Sequence, residues 1–306
     1  MTAAVHHRLK ARRVQFDLDG TPLHWLPGDP FATHMINGLH LLLPPGELWF
    51  CRVYNKALPY VTDPQLRADV EGFIRQEAVH SRVHSRAEQY LLRHGLNTDD
   101  IRQRAEHLFG YMLGDAPFGL PALQHRLLEK HWLVIRVGLI AAVEHFTGMV
   151  GQWAMDNTSW EKGDPVMADL FRWHLAEEVE HRSVAFELYE HLCATRPGFY
   201  LSRQALMAIV FPLFLRYLAM ACRGLASQDA DREAQRIARL SFVQILAELE
   251  RDGRRTGNVP TFRHLVKGTL RWLSPRFHPE AEGNTEQALA YLARSPAARA
   301  AALAAH

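Results

Sequence analysis

Residues 173–186 read WHLAEEVEHRSVAF, and residues 73–84 read FIRQEAVHSRVH. Each stretch holds a glutamate followed three residues later by a histidine: Glu178 with His181, and Glu77 with His80. Three residues turn an α-helix by roughly 300°, so both members of a pair stand on one helical face. His174 lies four residues before Glu178, one turn back on the same stripe. A single Glu-x-x-His is about what chance placement yields in a chain with 18 His among 306 residues. Two such pairs, one of them led by a histidine in register, exceed that expectation.

Two further glutamates extend the pattern. Glu47 precedes the first pair and Glu144 lies between the pairs. The order Glu, Glu-x-x-His, Glu, Glu-x-x-His is the one by which four-helix bundles hold two iron or manganese ions. Each interval leaves room for a helix and a return, and the longest also holds an extra helix. Glu144 sits in HWLVIRVGLIAAVEHFTGMVGQWAM, residues 131–155, which is apolar with very few charges. A carboxylate there costs on the order of several kcal/mol unless it is neutralised or bound to a cation. The competing readings are bland: Glu144 pairs with Arg136 or a histidine, and Glu77 and His80 lie on a solvated face among Arg75, Arg82 and Arg86. The joint pattern favours a metal site of Glu47, Glu77, His80, Glu144, His174, Glu178 and His181.

That set offers four carboxylates and two or three imidazoles without a thiolate. Such hard, mixed donors suit iron, with manganese as the alternative, better than a structural zinc. His84 falls on the Glu77–His80 stripe and is expected to hydrogen-bond a ligand from behind; ligation and surface exposure are the alternatives. Tyr54, seven residues beyond Glu47, shares its face. Glu177 and Glu180 point away from the Glu178 stripe, either to orient ligands or to meet solvent. His145 faces away from its neighbour Glu144, towards the core or towards the back of a ligand.

No segment alternates in the manner of a strand, so the expected class is all-α. The expected architecture is a ferritin-like four-helix bundle with accessory and C-terminal helices. Residues 1–33 read as irregular, 34–198 as the di-metal bundle, and 199–306 as a helical extension packed on it. A short helix is expected over 34–43, then a break at Pro44-Pro45-Gly46 and a helix from about Glu47 to Leu58. Asp63-Pro64 and Asp164-Pro165 are helix starts, a capping Asp followed by Pro at the first helical position. The first of these helices runs to His94, before Gly95, and the second to about Ala194. Residues 98–112 read as an accessory helix and 122–157 as the third core helix. Residues 204–215, QALMAIVFPLFL, are too short to span a bilayer. A buried helix covering the bundle is expected there, with a membrane-facing helix or the wall of a hydrophobic tunnel as alternatives. Residues 231–253, 261–273 and 284–304 are further helices, and the alanine-rich end is a frayed or docked tail.

Composition removes some functions. The net charge of +2 and the lack of a basic run interleaved with aromatics argue against nucleic acid. Three widely spaced cysteines, Cys51, Cys193 and Cys222, suggest a reducing compartment without a disulfide framework. The first 20 residues have basic side chains but no apolar core, so a cytoplasmic location is expected.

The segments RQEAVHSRVH and WHLAEEVEHRSVAFELYEH resemble the signatures of a bacterial family known as predicted metal-dependent hydrolases, over roughly residues 40–270. The order and spacing of Glu47, Glu77, His80, Glu144, His174, Glu178 and His181 also resemble the ligand set of the di-iron arylamine N-oxygenases. Those enzymes use a ferritin-like bundle with an extra histidine four residues before the last Glu-x-x-His, the place of His174. The second resemblance implies an O2-dependent oxidoreductase acting on a hydrophobic or amine-bearing small molecule. Its partners would be that substrate, O2 and an electron-donor protein, and a homodimer is compatible with it. The first implies hydrolysis at the same two metals. A non-catalytic metal-binding bundle is the third reading, made less apt by the long C-terminal extension.

Overall fold

The computed structural model describes residues 8–120 and 126–304. The expected irregular segment at 1–7, the onset of the third core helix at 122–125 and the last two tail residues lie outside the described residues. Among the described residues there is no strand, and the class is all-α. In chain order the helices are α1 (Pro30–Asn37), α2 (Leu39–Ala57), α3 (Pro64–Arg93), α4 (Asp99–Glu106), α5 (Arg126–Asp156), α6 (Pro165–His181) and α7 (Val184–Leu192). They continue with α8 (Arg196–Ala226), α9 (Arg232–Ala238), α10 (Phe242–Arg255), α11 (Phe262–Trp272), α12 (Thr285–Arg294) and α13 (Pro296–Leu303). α4 leads directly into a π-helical turn, His107–Met112.

The two Asp-Pro starts behave as their chemistry dictates. Asp63 accepts from the Gln65 and Leu66 amides, and Asp164 from those of Val166 and Met167, with Pro64 and Pro165 at the first helical position. α2 packs along α3 and α5 along α6; α2 also meets α5, and α3 meets α6 and α7. These contacts close a ring in which α2, α3, α5 and α6 present Glu47, Glu77–His80, Glu144 and Glu178–His181 to one interior. Glycines set the closest approach. A Cβ on Gly151 would lie 2.5 Å from the Leu175 carbonyl oxygen, and one on Gly148 2.9 Å from Arg182 Cβ. The α5–α6 spacing that brings Glu144 to Glu178 therefore requires them. α8 covers α1, α2 and α5, while α11 and α12 lie against α5 and α12 and α13 against α6.

Several expected boundaries are corrected. α2 runs through Pro44 and Pro45, starting at Leu39, and a separate α1 begins at Pro30 under an Asp29 cap. Packing outweighs the missing amide donors here: the Pro44 carbonyl accepts from the Ser81 hydroxyl of α3 at 3.0 Å, and Gly46 lies against the Phe109 ring. The fourth core helix does not reach Ala194 unbroken. It stops at His181 because buried Arg182 turns back onto the Val179 carbonyl and also bonds the Pro279, Glu280 and Gly283 carbonyls. Residues 231–253 divide at Ser241, which makes a reciprocal cap with Gln244. Residues 284–304 divide at Ser295, because the residue before Pro296 is pushed out of helical geometry.

Residues 204–215 are the middle of the single helix α8, and Pro212 does not end it. α5, over Leu128–Asp156, and α8 are each long and apolar enough to cross a membrane by length and composition alone. α5 is mainly core, its most apolar window 67% buried, whereas that of α8 is only 33% buried. The expected buried cover is thus only partly buried, and Ile209 within it is 56% exposed.

Candidate metal centre

The four helices converge on a polar cluster inside an apolar core. Glu47, Glu77, His80, Glu144, His174, Glu178 and His181 are each 3% exposed or less. Their donor atoms form three groups that could hold an ion: Glu47 with His80 and His174, Glu77 with His80 and Glu178, and Glu144 with Glu178 and His181. All seven sequence-derived candidates are therefore brought together. Of the competing readings, Arg136 pairs with Asp115 and not with Glu144, and Glu77 and His80 are buried, not solvated. Glu144 does pair with a histidine, but that histidine is His181, itself one of the seven candidates.

The groups overlap in a specific way. Glu178 directs Oε1 to His174 Nε2 at 2.9 Å and to His80 Nδ1 at 3.5 Å, and Oε2 to His181 Nε2 at 3.3 Å. Glu77 Oε1 stands 3.3 Å from His80 Nδ1 and 3.4 Å from His181 Nε2. These two carboxylates lie between two halves. One half holds Glu47, His80 and His174; the other holds Glu144 and His181, whose Oε2 and Nε2 are 3.2 Å apart. Two metal positions sharing two carboxylates is the division this geometry offers.

Each imidazole is fixed from behind. His80 keeps Nδ1 inward while its Nε2 meets Glu177 Oε2 at 2.9 Å. His181 keeps Nε2 inward while its Nδ1 meets Gln76 Oε1 at 3.0 Å. His174 keeps Nε2 inward while its Nδ1 meets His84 Nε2 at 2.6 Å, and His84 Nδ1 in turn meets His40 Nδ1 at 2.8 Å. Such partners select the tautomer that leaves the inward nitrogen free to ligate. His84 therefore stands behind His174, on the side away from the carboxylates. Glu177, which shares neither the stripe nor the face of Glu178, buttresses His80. Tyr54 is fully buried beside the cluster and its hydroxyl makes no hydrogen bond. His145 is packed among Phe146, Trp272 and Phe277, away from the carboxylates.

Sequence reasoning did not find the remote supports. Arg12 Nη1 donates to Glu177 Oε1 at 2.7 Å and to Glu180 Oε2 at 2.9 Å, and Gln76 Nε2 donates to Glu180 Oε2 at 2.9 Å. No local signal marks Arg12, which lies far from α6 in sequence. His40 had a signal, one heptad before Glu47 on the same stripe, but the expected break at Pro44 severed that stripe. Arg12→Ala is expected to weaken metal binding about 10–100-fold, the usual effect of removing a group that orients a ligand. Titration of the metal-free variant with Fe2+ and Mn2+ measures this; an unchanged affinity would remove Arg12 from the support of the site.

The charge state of the bare cluster fits a cation site. Both oxygens of Glu47, Glu77 and Glu144 are buried and none has a well-formed hydrogen bond. Their nearest donors are the imidazoles themselves, His181 Nε2 at 3.2 Å from Glu144 Oε2 and His80 Nδ1 at 3.3 Å from Glu77 Oε1. Burial, then the charge of Glu77, pushes the Glu47 carboxyl well above its ordinary range; burial and Glu178 push Glu144 up to about 8. Burial pulls His80 and His181 down, but Glu77 and the carboxylates hydrogen-bonded to His80, and Glu178 and Glu144 at His181, more than reverse it. His174 and His84 are lowered, first by burial, and His40 falls to about 3. Cys51 lies close enough for Glu77 and Glu47 to add to the burial that pushes its thiol up to about 12, so it is a protonated neighbour and not a thiolate ligand. Buried carboxylates without well-formed hydrogen bonds are costly until a cation replaces their protons, and the residues present fit a pair of divalent ions.

A cavity of about 360 Å³ reaches the carboxylate side of the cluster, touching Glu47, Glu77, Glu144 and Glu178. Its remaining wall is almost entirely apolar and comes from α2, α5, α8 and the π-helical turn. The tunnel-wall alternative for residues 204–215 is the one this geometry matches, since Leu206, Ile209, Val210, Leu213 and Phe214 line the cavity.

A family model described as a predicted metal-dependent hydrolase matches residues 10–283. Comparison with curated proteins finds no match, and comparison with solved structures finds none.

Proposed function

The chain belongs to the family of predicted metal-dependent hydrolases, and from that premise we propose a two-metal enzyme whose chemistry is oxidative: an O2-dependent, di-iron oxidoreductase on a ferritin-like bundle, acting on a hydrophobic small molecule. The observation that carries this reading is the sharing of Glu77 and Glu178 between two halves closed by Glu47 and Glu144. Carboxylate-rich pairs on four helices suit redox metals. Two such ions would supply paired electrons to O2, with an electron-donor protein restoring the reduced state.

The protein's own residues prepare that chemistry. Glu177, Gln76 and His84 hold the three imidazoles so that His80 Nδ1, His181 Nε2 and His174 Nε2 face inward. Arg12 neutralises Glu177 and Glu180 at the back of the site, which leaves the inner carboxylates to neutralise the ions. The apolar wall would disfavour water on the substrate side of the ions.

Hydrolysis at the same two ions is the second reading, and the family description favours it. A hydrolase must deliver water to the metals and a proton to the leaving group. The indole N–H groups of Trp49 and Trp132 in the cavity wall are already bonded to the Leu113 and Gly114 carbonyls, and the Thr147 hydroxyl to that of Glu144. Beyond the glutamates the described wall therefore offers a leaving group no uncommitted donor other than the Tyr217 hydroxyl. The test is to load the protein with Fe2+ without air, admit O2 and follow absorbance by stopped flow. Oxidation predicts O2 consumption with a spectral change and a stable ferric product. A ferrous protein inert to O2, alongside a zinc- or manganese-loaded protein that cleaves an ester or amide, overturns it in favour of hydrolysis.

A further inference from the structure

The cavity restricts what can reach the carboxylates. Its α5 wall runs from Glu144 back through Leu139 and Ile135 to Trp132, a rise of about 18 Å at 1.5 Å per residue. Its volume of about 360 Å³, drawn out along that length, leaves room for about one hydrocarbon chain abreast. Ile135 and Ile209 line the cavity yet are 41% and 56% exposed, so it opens to the outside between α5 and α8. Between this mouth and the glutamates the wall offers little hydrogen bonding. The two indoles and the threonine are already satisfied, which leaves Tyr217, a residue shared with a surface depression beside Arg104 and Arg216, as the remaining hydroxyl in the wall. A polar group held midway would be desolvated without a partner, which costs on the order of 1–3 kcal/mol, whereas each methylene buried there adds to binding.

We infer that the ligand of this cavity is a single long aliphatic chain, entering between α5 and α8 and bringing one end to Glu47, Glu77, Glu144 and Glu178. Recognition is by length, and the wall grips no headgroup. The chain can belong to a free alcohol or acid, or to a lipid whose headgroup stays at the mouth. This assignment deepens the two-metal reading, but only the placement of the reacting end rests on it.

The test is calorimetric titration of the full chain, metal-free and metal-loaded, with straight-chain alcohols and carboxylic acids of increasing length. Affinity is expected to rise about fourfold per added methylene and then level off once the chain outgrows the cavity. Leu139→Trp, which fills the middle, is expected to move that plateau to shorter chains while metal content and melting temperature hold. Leu206→Trp, against the opposite wall, gives the same readout should Leu139→Trp fail to fold. A lysophospholipid of the same chain length separates the sources: binding with the same plateau identifies a lipid, and exclusion identifies a free chain. Affinity independent of length, or a plateau unmoved by a folded blocking variant, overturns the inference. Because the metal-free protein is titrated, loss of chain binding leaves the two-metal reading standing, and loss of metal binding leaves the chain assignment standing.

Discussion

Glu47→Gln and Glu144→Gln are each expected to raise the melting temperature of the metal-free protein, by roughly 2–6 °C, while sharply reducing the metal it can hold. Both carboxyls are buried without a well-formed hydrogen bond, His181 Nε2 at 3.2 Å being the nearest donor to Glu144. Burial, and after it Glu77 for Glu47 and Glu178 for Glu144, pushes both groups upward. At neutral pH the folded protein must therefore protonate groups that ionise freely in the unfolded chain, a cost that a neutral amide of the same shape avoids. The gain is on the order of 1–3 kcal/mol per site. A carboxylate retained for structure behaves oppositely, and its replacement lowers the melting temperature. Differential scanning calorimetry on metal-free protein, paired with elemental analysis after iron loading, decides the matter. Lower stability with unchanged metal content would assign both residues to the scaffold.

The second large effect is in pH. Glu144, with its carboxyl pushed up to about 8, and Glu47, shifted the same way, bind protons more tightly folded than unfolded. So do His80 and His181. A raised group contributes stability that is complete below its unfolded pKa and is lost as pH climbs through the folded one. The lowered histidines, His40, His84 and His174, act in the opposite sense, but only below about 6.5, where the unfolded imidazole is charged. Glu178, held low by His181 and His174 despite its burial, matters only in acid. Between pH 6.5 and 8 the raised groups stand alone. The metal-free protein should lose stability over that window, by on the order of 1–3 kcal/mol. Bound metal, which needs the same groups deprotonated, should abolish the loss, and metal affinity should rise over the same range. Melting curves at four pH values, with and without Mn2+, test this; metal-free stability that is flat or rising from pH 6.5 to 8 would contradict the assigned charge states.

Much of the centre was legible because helical stripes are written locally. Glu77 with His80, and His174 with Glu178 and His181, are fixed by spacing alone, and Glu144 betrayed itself as a carboxylate in an apolar helix. What sequence could not show is whatever tertiary contact decides. Pro44 and Pro45 read as a helix end, yet α3 and Phe109 hold α2 straight through them. Arg182 reads as a mid-helix residue, yet the carbonyls it reaches near residue 280 end α6. Arg12 carries no periodic signal at all, because its partners are on a distant helix. The cavity was visible only as an apolar run at 204–215, since its depth depends on how α8 lies across α2 and α5.

The central claim is that these side chains hold two ions together. A crystal structure of the iron-loaded protein, with anomalous diffraction at the iron edge and iron counted per chain, tests it most directly. The account predicts two peaks about 3.5–4 Å apart, bridged by Glu77 and Glu178. Glu47, His80 and His174 would surround one, and Glu144 and His181 the other. A single iron per chain, or peaks away from these residues, would contradict it.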